Sequence, residues 1–197
     1  MTFPARRTGA GPRRADAIYA AALELLAAQG YDGLTMEAVA QRSGVNKTTL
    51  YRWWPAKDDL LAAALTAADV LAITIPDTGT LRGDLLAVAG DIARLLTGPA
   101  TAPIATAVLA AAPSRPRLAA AGHSFFADRL GREQPIFTRA IERGELSADA
   151  DPAALMDMLA GALWFRLIFR DEPLTAAYVE STVDTVLHGA GISSPMG

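Results

Sequence analysis

The chain has 197 residues, a net charge of −3 and 51% hydrophobic residues, enough apolar surface to build a packed core and too much for wholesale disorder. It has no cysteine, which excludes disulfides, thiolate catalysis and cysteine-ligated zinc. The charge is unevenly placed. Residues 1–60 hold eight Lys/Arg against six acids and the remainder ten against fifteen, so the basic excess sits at the end where a phosphate-bearing partner would need it.

Ala and Leu are abundant and β-branched runs are rare, which predicts an all-α fold. Residues 1–12 carry Pro4, Gly9, Gly11 and Pro12 among arginines and read as a flexible basic arm. A first helix is expected from Arg13 to Gln29, with Ile18, Ala22, Leu25 and Leu26 on one face and Gly30 as its C-terminal cap. Arginines ahead of an Ala/Leu stretch outline an export signal, but Glu24 interrupts the stretch and its apolar residues line one face, as in a soluble helix.

Thr35 caps a second short helix, Met36 to Arg42, and Ser43-Gly44-Val45 makes a tight turn. Asn46 caps a third helix, Lys47 to Trp54, which Pro55 stops. Ala40 is small enough for a close helix crossing, and Val39, Val45 and Leu50 fall where they would lock the third helix to the second. Thus residues 13–56 read as a three-helix helix-turn-helix DNA-binding domain. Lys47, Thr48, Thr49, Tyr51 and Arg52 crowd the outer face of the third helix, where an α-helix in a major groove presents its first turns to base edges.

A connecting helix is expected over 57–73, with Asp58 and Asp59 as helix-start acids. Pro76-Asp77-Thr78-Gly79 breaks the chain, and a larger helical ligand-binding and dimerisation domain follows over 80–192. Its helices are predicted at 81–97, 102–111, 116–133, 135–144, 152–170 and 175–189, with Asp151-Pro152 as a strong start signal. The longest apolar stretch, Leu60 to Ile73, is short for a membrane span and contains Asp69; no membrane partner and a cytoplasmic location are expected.

The segment Thr49-Leu50-Tyr51-Arg52-Trp53-Trp54-Pro55, with Lys57 and Leu60 behind it, resembles the signature of the TetR family of bacterial one-component regulators. The Ile18–Leu26 helix, Gly30-Tyr31, Leu34-Thr35, Val39-Ala40 and Ser43-Gly44-Val45 carry the same resemblance. It implies a dimeric regulator, most simply a ligand-responsive repressor, whose partner is double-stranded DNA carrying a palindromic operator. Residue by residue, it implies that Lys47 and Thr48 face bases and that Thr35, Thr49, Tyr51 and Trp53 touch backbone. Arg52 would read a base or a phosphate, Lys57 would grip a phosphate, and Trp54 and Tyr31 would be core anchors. One departure is Ala56, where the family often has a capping Ser or Thr.

Pro76-Asp77-Thr78-Gly79, Leu81-Arg82, Asp84-Leu85, Arg143-Gly144-Glu145-Leu146 and Asp151-Pro152 resemble a TetR-type C-terminal subgroup. Terminal helices of this family pair with a second copy. Leu155, Met158, Leu159, Ala162, Tyr178, Val183 and Val186 are the expected homodimer contacts, because both helices are more apolar than one buried face requires. A pocket for a small apolar effector is expected with walls at Ile104, Val108, Leu109, Phe125, Phe126, Leu130, Trp164 and Phe165, and with Arg166 or His123 as its polar group. An enzyme is the rival from another class. His123 and His188 have no partner at metal spacing, and there is no nucleophile motif or phosphate-cradling glycine loop. No catalytic residue, metal or cofactor is therefore expected. A helical interaction module with a vestigial head is the second rival, which the basic face of the third helix disfavours.

Overall fold

The computed structural model describes residues 14–67, 74–111 and 114–189. The expected arm at 1–12, the end of the connecting helix at 68–73 and the end of the chain beyond 189 lie outside them. The described residues form α1 (Ala15–Gly33), α2 (Met36–Ser43), α3 (Lys47–Trp53), α4 (Lys57–Ala67), α5 (Leu81–Thr97), α6 (Ala102–Ala111), α7 (Pro116–Glu142), α8 (Pro152–Trp164) with a π-helical turn (Phe165–Phe169), and α9 (Ala176–Gly189). The fold is all-α, as the composition predicts.

Local signals place the first elements. The Thr35 hydroxyl accepts from the Ala38 N–H at 3.1 Å and the Asn46 side-chain Oδ1 from the Thr48 N–H at 2.8 Å, so both caps form. Gly44 closes α2 at φ +66°, where its N–H reaches the Ala40 and Gln41 carbonyls. Gly30 also takes a positive φ, +68°, but the chain resumes its helix through Gly33, so α1 runs one turn beyond the expected end. Ala56 lacks a capping side chain, yet its N–H donates to the Asp59 carboxylate at 3.0 Å, which supplies the reciprocal half of a capping box.

Two departures from expectation have physical causes. Residues 116–133 and 135–144 are one helix, α7, with Pro135 inside it. An interior proline costs about 3 kcal/mol. Leu118 on one side and Ile136, Phe137 and Ala140 on the other are fully buried, and each large apolar side chain returns about 1.5–3 kcal/mol. The helix expected over 152–170 stops being α-helical at Trp164; the π-helical turn is closed by the Arg170 N–H on the Phe165 carbonyl at 3.2 Å.

The packing forms two cores. The first unites α1–α4 with Ile104 and Ala111 of α6 and Leu118 of α7. The second gathers α5, the later part of α7, α8 and α9 around Leu85, Phe137, Leu159 and Val183. The N-terminal three-helix unit, hereafter the head, therefore shares a core with α6 and the start of α7, at the near end of the remaining helical body, and α7 runs through both cores. The run Pro152–Phe169 has the length and mean hydropathy, 1.4, of a membrane span, although Asp157 and Arg166 interrupt it. Its buried side, Leu155, Met156, Leu159 and Leu163, belongs to the second core.

Candidate nucleic-acid interface and ligand cavity

Helix α3 is held from beneath. Leu50 is fully buried and Trp54 packs edge-on against Tyr19 at 5.6 Å, the anchoring role expected of it. What remains outside is polar and aromatic. Thr35, Lys47, Thr48 and Arg52 are exposed, Thr49 is half-buried, and Tyr51 and Trp53 stand 42% and 38% exposed. Two large aromatic rings thus stand beside two cations on one exposed surface. Lys47 pairs with Glu37 from the start of α2 and lies 5.6 Å from the Tyr51 ring centroid. Their shared hydrogen bond raises the lysine pKa and lowers that of the glutamate.

Lys57 points differently from the other residues of this group. Its ammonium donates to the carbonyls of Tyr31 at 2.8 Å and Leu34 at 3.1 Å, and lies 4.0 Å from the Tyr31 ring centroid. It thereby satisfies one carbonyl in the last turn of α1, that of Tyr31, and that of Leu34 just beyond the helix. Tyr31 is half-buried and packs against the first core. Its hydroxyl donates to Asp58, and burial together with that carboxylate pushes its pKa up to about 12. Arg115, immediately before α7, also stands over the Tyr31 ring at 4.0 Å and pairs with Asp32, while Arg117 faces Asp59 at 3.7 Å. The start of α7 is thereby latched to α1 and α4.

A cavity of about 390 Å³ lies where the two cores meet, with Leu65 from the first and Ile92, Leu96 and Met156 from the second among its walls. Ile104, Val108, Leu109, Phe125, Phe126, Leu130 and Trp164 line it. Phe165 and Arg166 do not, contrary to expectation. The π-helical turn rotates Phe165 outward to 57% exposure, where it stacks on Phe169. Arg166 is engaged by the Pro173 carbonyl at 2.9 Å, Glu172 at 2.8 Å and the face of Tyr178. His123 is exposed and outside the cavity.

The polar wall residues are instead Thr101, Arg129, Glu133 and Asp157. Glu133 is 2% exposed, its Oε1 has no hydrogen-bond partner, and burial raises its pKa to about 6 against the opposing pull of Arg129. The Arg129 guanidinium lies 4.9 Å from the Phe125 ring centroid. A sequence signal for Glu133 existed: Leu130, Glu133, Phe137 and Ala140 share one face of α7, and an acid inside an apolar stripe marks a buried charge. Among the described residues, no group of three His, Asp or Glu side chains is placed to hold a metal ion.

The expected dimer contacts divide. Leu155, Leu159, Val183 and Val186 are buried in the chain's own second core and are not free for a partner, because α8 and α9 need those faces to pack on α5. Ala162 and Tyr178 are half-buried, the Tyr178 hydroxyl donating to the Ala162 carbonyl at 3.3 Å. Only Met158, 51% exposed, faces outward, in line with Phe165, Ile168 and Phe169.

Two family models match this chain: "Bacterial regulatory proteins, tetR family" over residues 18–64 and "Tetracyclin repressor-like, C-terminal domain" over residues 75–186. An uncharacterized HTH-type transcriptional regulator of Mycobacterium tuberculosis is 37% identical over 177 residues, 89% of this chain and 86% of that protein. The DNA-binding transcriptional repressor TetR of Mycobacteroides abscessus is 34% identical over 180 residues, 90% of this chain and 93% of its own length. The crystal structure of the TetR family transcription regulator SCO0332 superposes with a TM-score of 0.73 at 38% identity, covering 89% of this chain and 97% of that one. With both models matched in chain order and the reading head formed, the chain belongs to the TetR family of DNA-binding transcriptional regulators.

Proposed function

We propose that this protein is a ligand-responsive repressor that binds a palindromic operator as a homodimer in the cytoplasm. The observation that carries the reading is the junction of the two cores. The cavity lies between the core that includes the reading head and the core that includes α8 and α9. A ligand that prefers one arrangement of those bodies changes the spacing of the two reading heads, and a ligand without such a preference would shift nothing.

On DNA, Lys47 and Thr48 face bases, Arg52 reads a base or a phosphate, and Thr35, Thr49, Tyr51 and Trp53 contact the backbone. Lys57 acts first by holding the end of α1, and it reaches a phosphate only by exchanging a carbonyl for it. The second copy docks on the outward stripe of Met158, Phe165, Ile168 and Phe169. Footprinting on DNA flanking the gene, with a salt titration, tests the reading. Protection of two half-sites related by a dyad is expected, with affinity falling steeply as salt rises. Absence of salt-dependent binding to any such fragment would remove it. Selection from random DNA should return a relaxed site for Lys47→Ala or Arg52→Ala, since a good bidentate base contact carries about 1–3 kcal/mol of discrimination.

A further inference from the structure

The cavity wall is apolar except for a few groups, and one of these is unfinished. Glu133 lies on α7 between Leu130 and Phe137, is 2% exposed, and its Oε1 has no hydrogen-bond partner. Buried acceptors in native proteins are almost always satisfied, so an orphan on a cavity wall is a place where a donor is missing. The other charged side chains lining the cavity are Arg129, on the same helix, and Asp157 on α8. Two acids against one base leave the lining with a net negative charge.

We propose that the effector is an apolar molecule whose polar end is a hydrogen-bond donor, an amine or a hydroxyl, received by Glu133 Oε1, and that acceptor-only ends such as carboxylates are excluded. This rests on the cavity being the effector site. A volume of about 390 Å³ is at the small end of ligand pockets, which selects a compact or single-chain molecule. The ammonium of an amine gains more than a hydroxyl, because a charge-assisted hydrogen bond to a carboxylate is roughly twice as strong as a neutral one. A carboxylate ligand would bring a third negative charge to the lining and leave Oε1 unsatisfied.

The test uses the full-length protein and three probes of equal length, decylamine, decanol and decanoate, titrated by calorimetry and followed by thermal shift. The wild type should bind decylamine at least about tenfold tighter than decanoate, with decanol between them. Glu133→Met should erase the difference. Glu133→Gln, which preserves shape and fold, should weaken decylamine while sparing decanol. Decanoate binding as tightly as decylamine, or an unchanged preference in Glu133→Met and Glu133→Gln, would overturn the assignment and leave the cavity reading intact, Oε1 then being served by water alone. If none of the three probes binds the wild type better than Val108→Trp, whose indole fills the space, the cavity is not the effector site and both readings fail.

Discussion

Replacing Arg115 by alanine tests the latch between reading head and body. Besides an exposed hydrogen bond to the neighbouring Ser114 hydroxyl at 3.0 Å, two contacts to α1 are lost. The guanidinium stands 4.0 Å from the Tyr31 ring centroid with its side chain 28% exposed, between the exposed and desolvated limits for a cation over an aromatic face, so this contact is worth about 1 kcal/mol. The ion pair to Asp32 adds only a few tenths, about 0.2–0.5 kcal/mol, because that carboxylate is 87% exposed and screened by solvent. Arg115→Ala should therefore destabilise by about 1–1.5 kcal/mol, or roughly 2–6 °C in melting temperature for a chain of this size. A double-mutant cycle with Tyr31→Leu isolates the ring contact. Urea denaturation at fixed protomer concentration should give a coupling energy near 1 kcal/mol. Additivity of the two substitutions within about 0.5 kcal/mol would refute the latch. Because α7 also lines the cavity, Arg115→Ala should in addition shrink the ligand-induced change in DNA affinity.

Phe169→Glu places a charge at the most exposed large apolar side chain among the described residues, 76% exposed, and should shift sedimentation to the monomer; a dimer of unaltered strength would move the interface elsewhere. Val108→Trp should blunt ligand-induced release of DNA, and release as ready as in the wild type would remove the cavity from the response. Glu133 is raised from 4.5 to about 6 by burial. Its ionised form is therefore penalised above pH 6, by about 2 kcal/mol, and the penalty is relieved as pH falls toward 4.5. Glu133→Gln should be more stable than the wild type at pH 7.5 and lose that advantage by about pH 4.5; an equal gain at both pH values in chemical denaturation would show that charge burial is not the cause.

The head was legible because its signals are local. Thr35, Asn46, Gly30 and Gly44 act within a few residues of themselves, and each takes the conformation its chemistry favours. Most of the cavity wall was legible too, since large apolar residues on α6 and α7 have few other places to go. The errors came where distant partners decide. Lys57 is turned inward by carbonyls 23 and 26 residues away, which no spacing rule anticipates. Arg166 looked like a ligand contact until Glu172 and the Tyr178 ring claimed it. An apolar surplus on α8 and α9 indicated a partner, but only packing shows which side is spent inside: Leu155, Leu159, Val183 and Val186 face inward, and a non-α turn carries Phe165 and Phe169 out.

Helix α7 behaves mechanically as a rod clamped at unequal ends. Ile136, Phe137 and Ala140 fix it in the second core, and Leu118 reaches the first; at 1.5 Å per residue the span from Leu118 to Phe137 is about 28 Å. Pro135 sits beside the fixed end and removes one rung of the helical ladder there, which makes that point the softest in bending. The cavity-wall residues Arg129, Leu130 and Glu133 lie on the arm toward Leu118, within about 9 Å of this pivot. A tilt of about 5° at Pro135, small enough for one wall side chain to cause, sweeps the Leu118 end and Arg115 through about 2.5 Å by that same rise per residue. Such a tilt would move Arg129–Glu133 by less than about 1 Å while shifting Arg115 by more than twice as much against Tyr31.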